Sequence, residues 1–210
     1  MTDQPYSPTA AEVAKLREIT GAGMMDCKRA LQESGGDLDR AQEFLRTKGL
    51  AGVEKRAGRQ ARDGMVEAYI HMQGRLGVLL EINCETDFVA KTDEFRGLAR
   101  DVAMHIAALD PRWVSSEEVP EDLLESERKI YAEQARAQNK PDNVIDKIVE
   151  GKLKAFYGAP GGVLLAQPFV KEDSKTVGEL VNEVAAKLGE KVVVRRFARF
   201  KLGEDEGAAR

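Results

Sequence analysis

The apolar residues of this chain first change period across a stretch that holds almost no large apolar side chains. Through Gly49 they recur at helical spacing, and from Met65 they alternate as in a strand. Between the two lies Ala51 to Gly64, where Lys55, Arg56, Arg59 and Arg62 supply the charge. The pattern predicts a small helical module over residues 1–51 and a partly helical linker over 52–64. A mixed core domain over 65–204 and a polar tail at 205–210 complete the division.

Thr9 and Glu12 form a capping box that opens a first helix, with Val13, Leu16 and Ile19 following at helical spacing and Gly21 and Gly23 as its stop. Asp26 marks the expected start of a second helix, which carries Ala30 and Leu31 and ends at Gly35-Gly36. Asp37 begins a third, with Leu38, Ala41, Phe44 and Leu45 as its stripe and Gly49 as its C-cap. Three short helices with glycine turns resemble a ubiquitin-associated domain, a UBA-like module.

In the core, Val66, Ala68 and Ile70 alternate, Gln73-Gly74 turns the chain, and Leu76, Val78, Leu80 and Ile82 alternate again, predicting a hairpin. A helix follows with Phe95, Leu98, Ala99, Val102, Ala103 and Ile106 on its buried face. Pro120 and Pro141, each expected at a first helical position, open a charged helical pair over 120–157 with a thin apolar stripe. Such a pair either lies on the core or projects toward a partner. A strand at 163–170, a helix opened by the Thr176–Glu179 capping box, and a last strand from Val192 to Leu202 complete the reading. The fold class is α+β with an antiparallel sheet, and the alternation of strand and helix typical of nucleotide-binding folds is absent.

Lys+Arg number 32 against 36 Asp+Glu, a net charge of −4, which argues against a nucleic-acid binder. The Lys55 to Arg62 stretch leaves a basic arm as a rival reading, beside the ordinary one of a solvated face. No apolar run reaches the roughly 20 residues a membrane helix needs. The N-terminus, MTDQPYSPTAAE, has no secretory pattern, so the chain reads as cytoplasmic. GAGMMDCK lacks P-loop spacing and follows a helix. His71 and His105 have no Cys or His neighbour at ligand spacing, so neither metal nor cofactor is expected. His105 reads as a half-buried packing histidine. A Cys84 nucleophile with His71 as base is a legitimate unit. Cys84 nevertheless continues the Leu80-Ile82 alternation, which favours a small core filler, and Cys27 reads likewise.

Thr86-Asp87-Phe88 stands between the second strand and a helix. Its phenylalanine is either a lid on the core or an exposed anchor whose ring fills a partner's pocket while Asp87 sets the orientation. Periodicity leaves both open.

Two longer stretches then carry a family resemblance. LREITGAGMMDCKRAL (Leu16 to Leu31) and EINCETDFVAK (Glu81 to Lys91) resemble the two signatures of elongation factor Ts. The likeness continues through IVEGKLKAFYG, QPFVKEDSKTVGEL and GEKVVVRRFARFKLGE, and spans nearly the whole chain.

The resemblance implies nucleotide exchange on elongation factor Tu by binding, with no covalent chemistry. It places Thr86, Asp87, Phe88 and Val89 at the intruding turn, where they disturb the GTPase's magnesium and phosphate sites and GDP leaves. It assigns Arg17, Met24 and Met25 to a second grip by the N-terminal module, with core packing an alternative for one methionine. Leu188 and Gly189 match a segment on the phosphate-loop side, and His71 in YIHMQGRLG a further contact. The chain carries one such turn and one hairpin-plus-helix unit where longer members of the family hold two related subdomains. Its resemblance to the short members, which pair their cores, implies a homodimer in a 2:2 complex. The run Gly158-Ala159-Pro160-Gly161-Gly162 is richer in glycine than the family pattern. A rival of another class is an adaptor using the helical module, which would not stimulate GDP release.

Overall fold

The computed structural model describes residues 6–204. The polar tail at 205–210 lies outside the described residues.

Helix α1 (Ala10–Thr20) starts where its capping box predicts. Thr9 accepts from the Glu12 N–H while the Glu12 carboxylate accepts from the Thr9 N–H at 2.7 Å. Gly21 closes the helix in the left-handed region at φ 66°, where a side chain would be strained. Helix α2 (Met24–Glu33) begins two residues before the expected Asp26, because Gly23 serves as its N-cap. Asp26 falls in the first turn, where its charge suits the helix dipole, and it pairs with Lys48.

Helix α3 (Leu38–Arg56) passes straight through Gly49, the expected C-cap, and takes in the start of the basic stretch. A Cβ on Gly49 would lie 3.2 Å from that of Ala186, so the glycine there permits close approach of another segment. Val13, Leu16, Cys27, Ala30, Leu31 and Ala41 form the core of the three helices, with Tyr6, Phe44 and Leu45 packed around it. Fully burying a leucine such as Leu16 or Leu31 contributes about 1.5–3 kcal/mol.

Strands β1 (Asp63–His71) and β2 (Leu76–Cys84) form the expected hairpin. Its turn holds Met72, Gln73 and Gly74 in the left-handed region, at φ 51°, 56° and 88°. Leu76, Val78, Leu80, Ile82 and Cys84 are all buried, while Val66 and Ile70 of β1 face outward. A four-residue helix α4 (Asp87–Ala90) precedes helix α5 (Asp93–Leu109), whose predicted face is buried from Phe95 to Ile106.

Helices α6 (Glu121–Ala137) and α7 (Asp142–Gly158) are the charged pair. Pro120 and Pro141 sit at their N-caps, one position before the expected one, with ψ of 132° and 142° keeping each outside the helix. The thin stripe packs on a local cluster: Leu124 and Leu153 meet Val119 and Val163, bordered by Trp113, Tyr131 and Phe156. In the glycine-rich run, a Cβ on Gly162 would collide with the carbonyls of Tyr157, Phe156 and Ala159. Glycine at 162 is therefore a packing requirement.

The strand expected at 163–170 is mostly absent. Val163 makes a single parallel bridge to Trp113, Leu164–Ala166 is a 3-10 turn, and the two-residue β3 (Pro168–Phe169) pairs with β4 (Glu172–Thr176). Gln167 accounts for the break: it turns inward, fully buried, and donates Nε2 to the Ala159 carbonyl at 2.9 Å. Its Oε1 lies 2.9 Å from His105 Nε2, and His105 Nδ1 accepts from the Val170 N–H at 3.2 Å. His105 is thus fully buried, beyond the half-burial expected, and burial holds its pKa below the ordinary histidine value.

Helix α8 (Val177–Leu188) opens on its Thr176–Glu179 capping box, and β5 (Val193–Lys201) joins the hairpin in the order β1-β2-β5. Leu202 N–H to the Arg75 carbonyl at one end, and Arg196 to Glu81 further along, give β5 an antiparallel course beside β2. By contact the chain forms two compact units. One joins the residues up to Gly64 with Asn83–Phe95 and Val181–Val193; the other holds Met65–Ile82, Arg96–Leu180 and the residues from Val194.

Candidate functional site

The exchange-turn candidates lie in the first of these units, together with the N-terminal helices and the end of α8. Thr86 is the N-cap of α4, with extended backbone at φ −132° and ψ 153°, and its Oγ1 accepts from the Val89 N–H at 3.4 Å. Its carbonyl accepts from the Ala90 N–H at 3.3 Å and from the Cys84 thiol at 3.2 Å. Phe88, one position into that helix, is 79% exposed, so it is not a lid on the core. Val89, the next residue, is half-buried.

Asp87 is exposed, and Lys91 one turn later donates to its carboxylate at 2.6 Å. That hydrogen bond holds the Asp87 pKa below the ordinary aspartate value.

A second carboxylate grips the turn at its N-terminal end. Glu190 accepts from the backbone N–H groups of Glu85 and Thr86 at 3.0 and 3.1 Å, and from the Thr86 hydroxyl at 2.6 Å. Glu85 answers by accepting from the Lys191 N–H at 2.6 Å and from Arg59 at 3.2 Å. The Lys191 contact, with Arg59 adding to it, holds the Glu85 pKa below its ordinary value. Lys191 also donates to the carbonyls of Ala57 and Arg59, so the basic stretch is tied down locally.

Glu190 was not predicted from the sequence. It stands 104 residues from Thr86, and only its position after the helix-ending Gly189 could have pointed to it.

Gly189 ends α8 at φ 73°, exposed, with its N–H on the Ala185 carbonyl at 3.0 Å; Leu188 is half-buried. The same helix end meets the N-terminal helices. Arg56 donates to the Ala185 carbonyl at 3.4 Å, and the Lys187 side chain lies against Gly21.

On the N-terminal helices, Met24 and Met25 are 54% and 73% exposed, which removes core packing for both. Arg17 and Ile19 are exposed on α1. His71 belongs to the other unit: it is exposed, and its Nδ1 lies 3.1 Å from the Tyr69 hydroxyl.

The Cys84–His71 pair is not assembled. His71 closes β1 at the hairpin turn, and Cys84 closes β2 at the far end of the hairpin. Burial and the nearby Glu190 push the Cys84 thiol up to about 11, which suppresses the thiolate a nucleophile requires. Among the described residues, no helix is long and apolar enough to cross a membrane.

An exposed aromatic beside a carboxylate, on a turn fastened by hydrogen bonds, is the form of a docking element, and the class it suggests is a protein that works on a macromolecular partner. The sequence profile described as "Elongation factor TS" matches residues 50–204. Proteins called Elongation factor Ts are similar over most of their length. That of Desulforamulus reducens is 56% identical, covering 93% of this chain and 89% of its own. Those of Coprothermobacter proteolyticus and Geobacter sulfurreducens are both 54% identical, covering 93% and 94% of this chain and 98% and 91% of theirs. The chain belongs to the elongation factor Ts family, whose members serve translation as nucleotide exchange factors for elongation factor Tu.

Proposed function

We propose that this chain releases GDP from elongation factor Tu by inserting the turn Thr86-Asp87-Phe88 into the GTPase domain, where it disturbs the magnesium and phosphate sites. The single observation that carries the reading is the exposure of Phe88, 79% open on a four-residue helix that burial does not need. Val89 flanks the wedge. Arg17, Met24 and Met25 form a second grip, for which adaptable thioethers are suited. Leu188 and Gly189 approach the phosphate-loop side, and His71 makes an outlying contact. No catalytic residue, metal or cofactor is involved.

An exchange factor binds nucleotide-free partner more tightly than GDP-bound partner, and linkage then requires that it weaken GDP by the same factor. Lowering the barrier to release by ~5 kcal/mol accelerates it several thousandfold.

The active form is a homodimer acting on two GTPases. The outward face of the three-stranded sheet supports this, since Ile70, Leu79, Phe200 and Leu202 line one shallow apolar groove and Val66 is exposed nearby on β1. Light scattering without partner tests it, and a monomer at micromolar concentration would count against it.

The exchange reading is tested by release of fluorescent GDP from elongation factor Tu, comparing the natural chain with its Asp87→Ala/Phe88→Ala variant once both are shown to fold. Strong acceleration by the first and a large deficit in the second are expected. No acceleration by the natural chain would reject the reading in favour of an adaptor.

A further inference from the structure

We infer that Glu190 is a positioning residue for nucleotide exchange: its carboxylate locks Thr86 and thereby sets the direction in which Asp87 and Phe88 are presented. The inference rests on the exchange reading above and adds a residue from a distant part of the chain to that machinery.

Helix α4 has four residues, far too few to be stable by itself. Its C-terminal end is held by Thr92, whose hydroxyl and N–H donate to the Val89 carbonyl at 2.8 and 3.0 Å. The bonds at its N-terminal end are long: 3.4 Å from the Val89 N–H to Thr86 Oγ1 and 3.3 Å from the Ala90 N–H to the Thr86 carbonyl. Phe88, at 79% exposure, makes little use of the core to hold its place. A turn whose N-terminal end had only these supports would sample many conformations there, and each would have to be given up on docking.

At the N-terminal end the short bonds come from Glu190. One carboxylate oxygen takes the Thr86 hydroxyl at 2.6 Å; the other takes the N–H groups of Glu85 and Thr86 at 3.0 and 3.1 Å. Hydrogen bonds to an ionised acceptor are roughly twice as strong as neutral ones. With the Thr86 proton directed at Glu190, the oxygen's lone pairs are left for the Val89 N–H, so the two bonds reinforce one another. The bracket is reciprocal, because Glu85 takes the Lys191 N–H at 2.6 Å. Every polar atom of Thr86 is thus engaged inside the chain, and its part is to cap and orient the turn.

Glu190 is itself well seated. Gly189, at φ 73°, turns the chain off the end of α8 so that residue 190 faces the exchange turn. The last turns of α8 are tied to α3 through the Arg56 contact with the Ala185 carbonyl.

The test is GDP release from elongation factor Tu over a range of factor concentrations, with Glu190→Gln, Phe88→Ala and the double variant. Glutamine keeps the volume while removing the charge and one acceptor. Glu190→Gln is expected to lower the maximal release rate roughly tenfold, with much less change in the half-saturating concentration. In the Phe88→Ala background the same substitution is expected to do little, because the turn it orients has lost its wedge.

Equal maximal rates for the natural chain and a folded Glu190→Gln variant would overturn the inference and leave the exchange reading standing. So would a loss that multiplies in full with that of Phe88→Ala, since Glu190 would then act elsewhere. Failure of the natural chain to accelerate release would remove both. Should the glutamine variant melt below assay temperature, amide hydrogen exchange of the natural chain decides. Strong protection of Thr86 and Glu85 relative to Phe88 supports the lock, and absence of protection overturns it.

Discussion

Two exposed apolar features share one compact unit of this chain and are built in opposite ways. Phe88 is a single stiff ring on a turn whose N-cap Thr86 makes two bonds to one carboxylate, with a third from the preceding Glu85 N–H. Met24 and Met25 are flexible thioethers in the first turn of α2, whose N-cap Gly23 offers no side-chain hydrogen bond. A rigid wedge suits a task in which the partner must deform, because its interaction is realised only as the partner yields. Adaptable side chains suit a grip made equally well before and after release. The first kind of contact acts on the maximal rate and the second on affinity.

The sharpest way to break that contrast is to remove each feature and ask which parameter moves. Phe88→Ala is expected to give the largest effect. Burying a phenylalanine is worth ~1.5–3 kcal/mol, so the maximal rate of GDP release should fall by roughly one to two powers of ten. Release should still exceed the spontaneous rate, because the rest of the interface remains. Complete loss with fold and partner binding intact would mean that the wedge carries nearly all the work. Met24→Ala/Met25→Ala should act differently, raising the half-saturating concentration about tenfold with little change at saturation. A titration of release rate against factor concentration separates the two, and a fall in the maximal rate of the methionine variant would erase the distinction between wedge and grip.

The two features were not equally legible in the sequence. The Thr9–Glu12 and Thr176–Glu179 boxes, the hairpin and the face of α5 follow from periods of two and three to four residues, which neighbours in sequence set. Gly49 was misread as a cap because a local rule cannot see Ala186, whose approach makes a mid-helix glycine useful. The strand expected at 163–170 failed for a similar reason: Gln167 is drawn inward by His105 and the Ala159 carbonyl. At the site, the signatures pointed to Phe88, but periodicity left lid and anchor equally open, and its 79% exposure favours the anchor. Glu190 lies 104 residues from Thr86, and its place after the helix-ending Gly189 marks a turn without naming the partner of its carboxylate.

A smaller effect tests whether the fold of the N-terminal helices, and not only their thioethers, governs the grip. Thr9→Ala removes the hydroxyl half of a capping box on α1, remote in sequence from both methionines. Stability to urea should fall by about 1 kcal/mol, with GDP release unchanged at temperatures where the chain stays folded. A raised half-saturating concentration in the folded variant would show that α1 transmits strain to α2, and the grip would then be less forgiving than flexible methionines imply.

The smallest expected effect concerns the charge on the wedge. Lys91 donates to Asp87 at 2.6 Å and thereby holds its pKa below the ordinary aspartate value. Because the folded pKa is the lower one, the pair's stabilising contribution is fully present above the unfolded value, ~3.9, and is lost as pH falls through the folded value. Both side chains are more than half exposed, at 66% and 52%, so solvent screens the pair and little stability is at stake. The consequence lies in the presented charge: Asp87 stays ionised throughout the neutral and mildly acid range. Lys91→Met should move the Asp87 titration upward, toward the ordinary aspartate value, as followed by carboxyl-carbon NMR on the isolated factor, with unfolding barely changed. At neutral pH the carboxylate is ionised in either case, so release should be nearly unaltered. A strong loss of release at neutral pH would show that Lys91 itself meets the partner, and the rigid element would then extend one helical turn beyond Phe88.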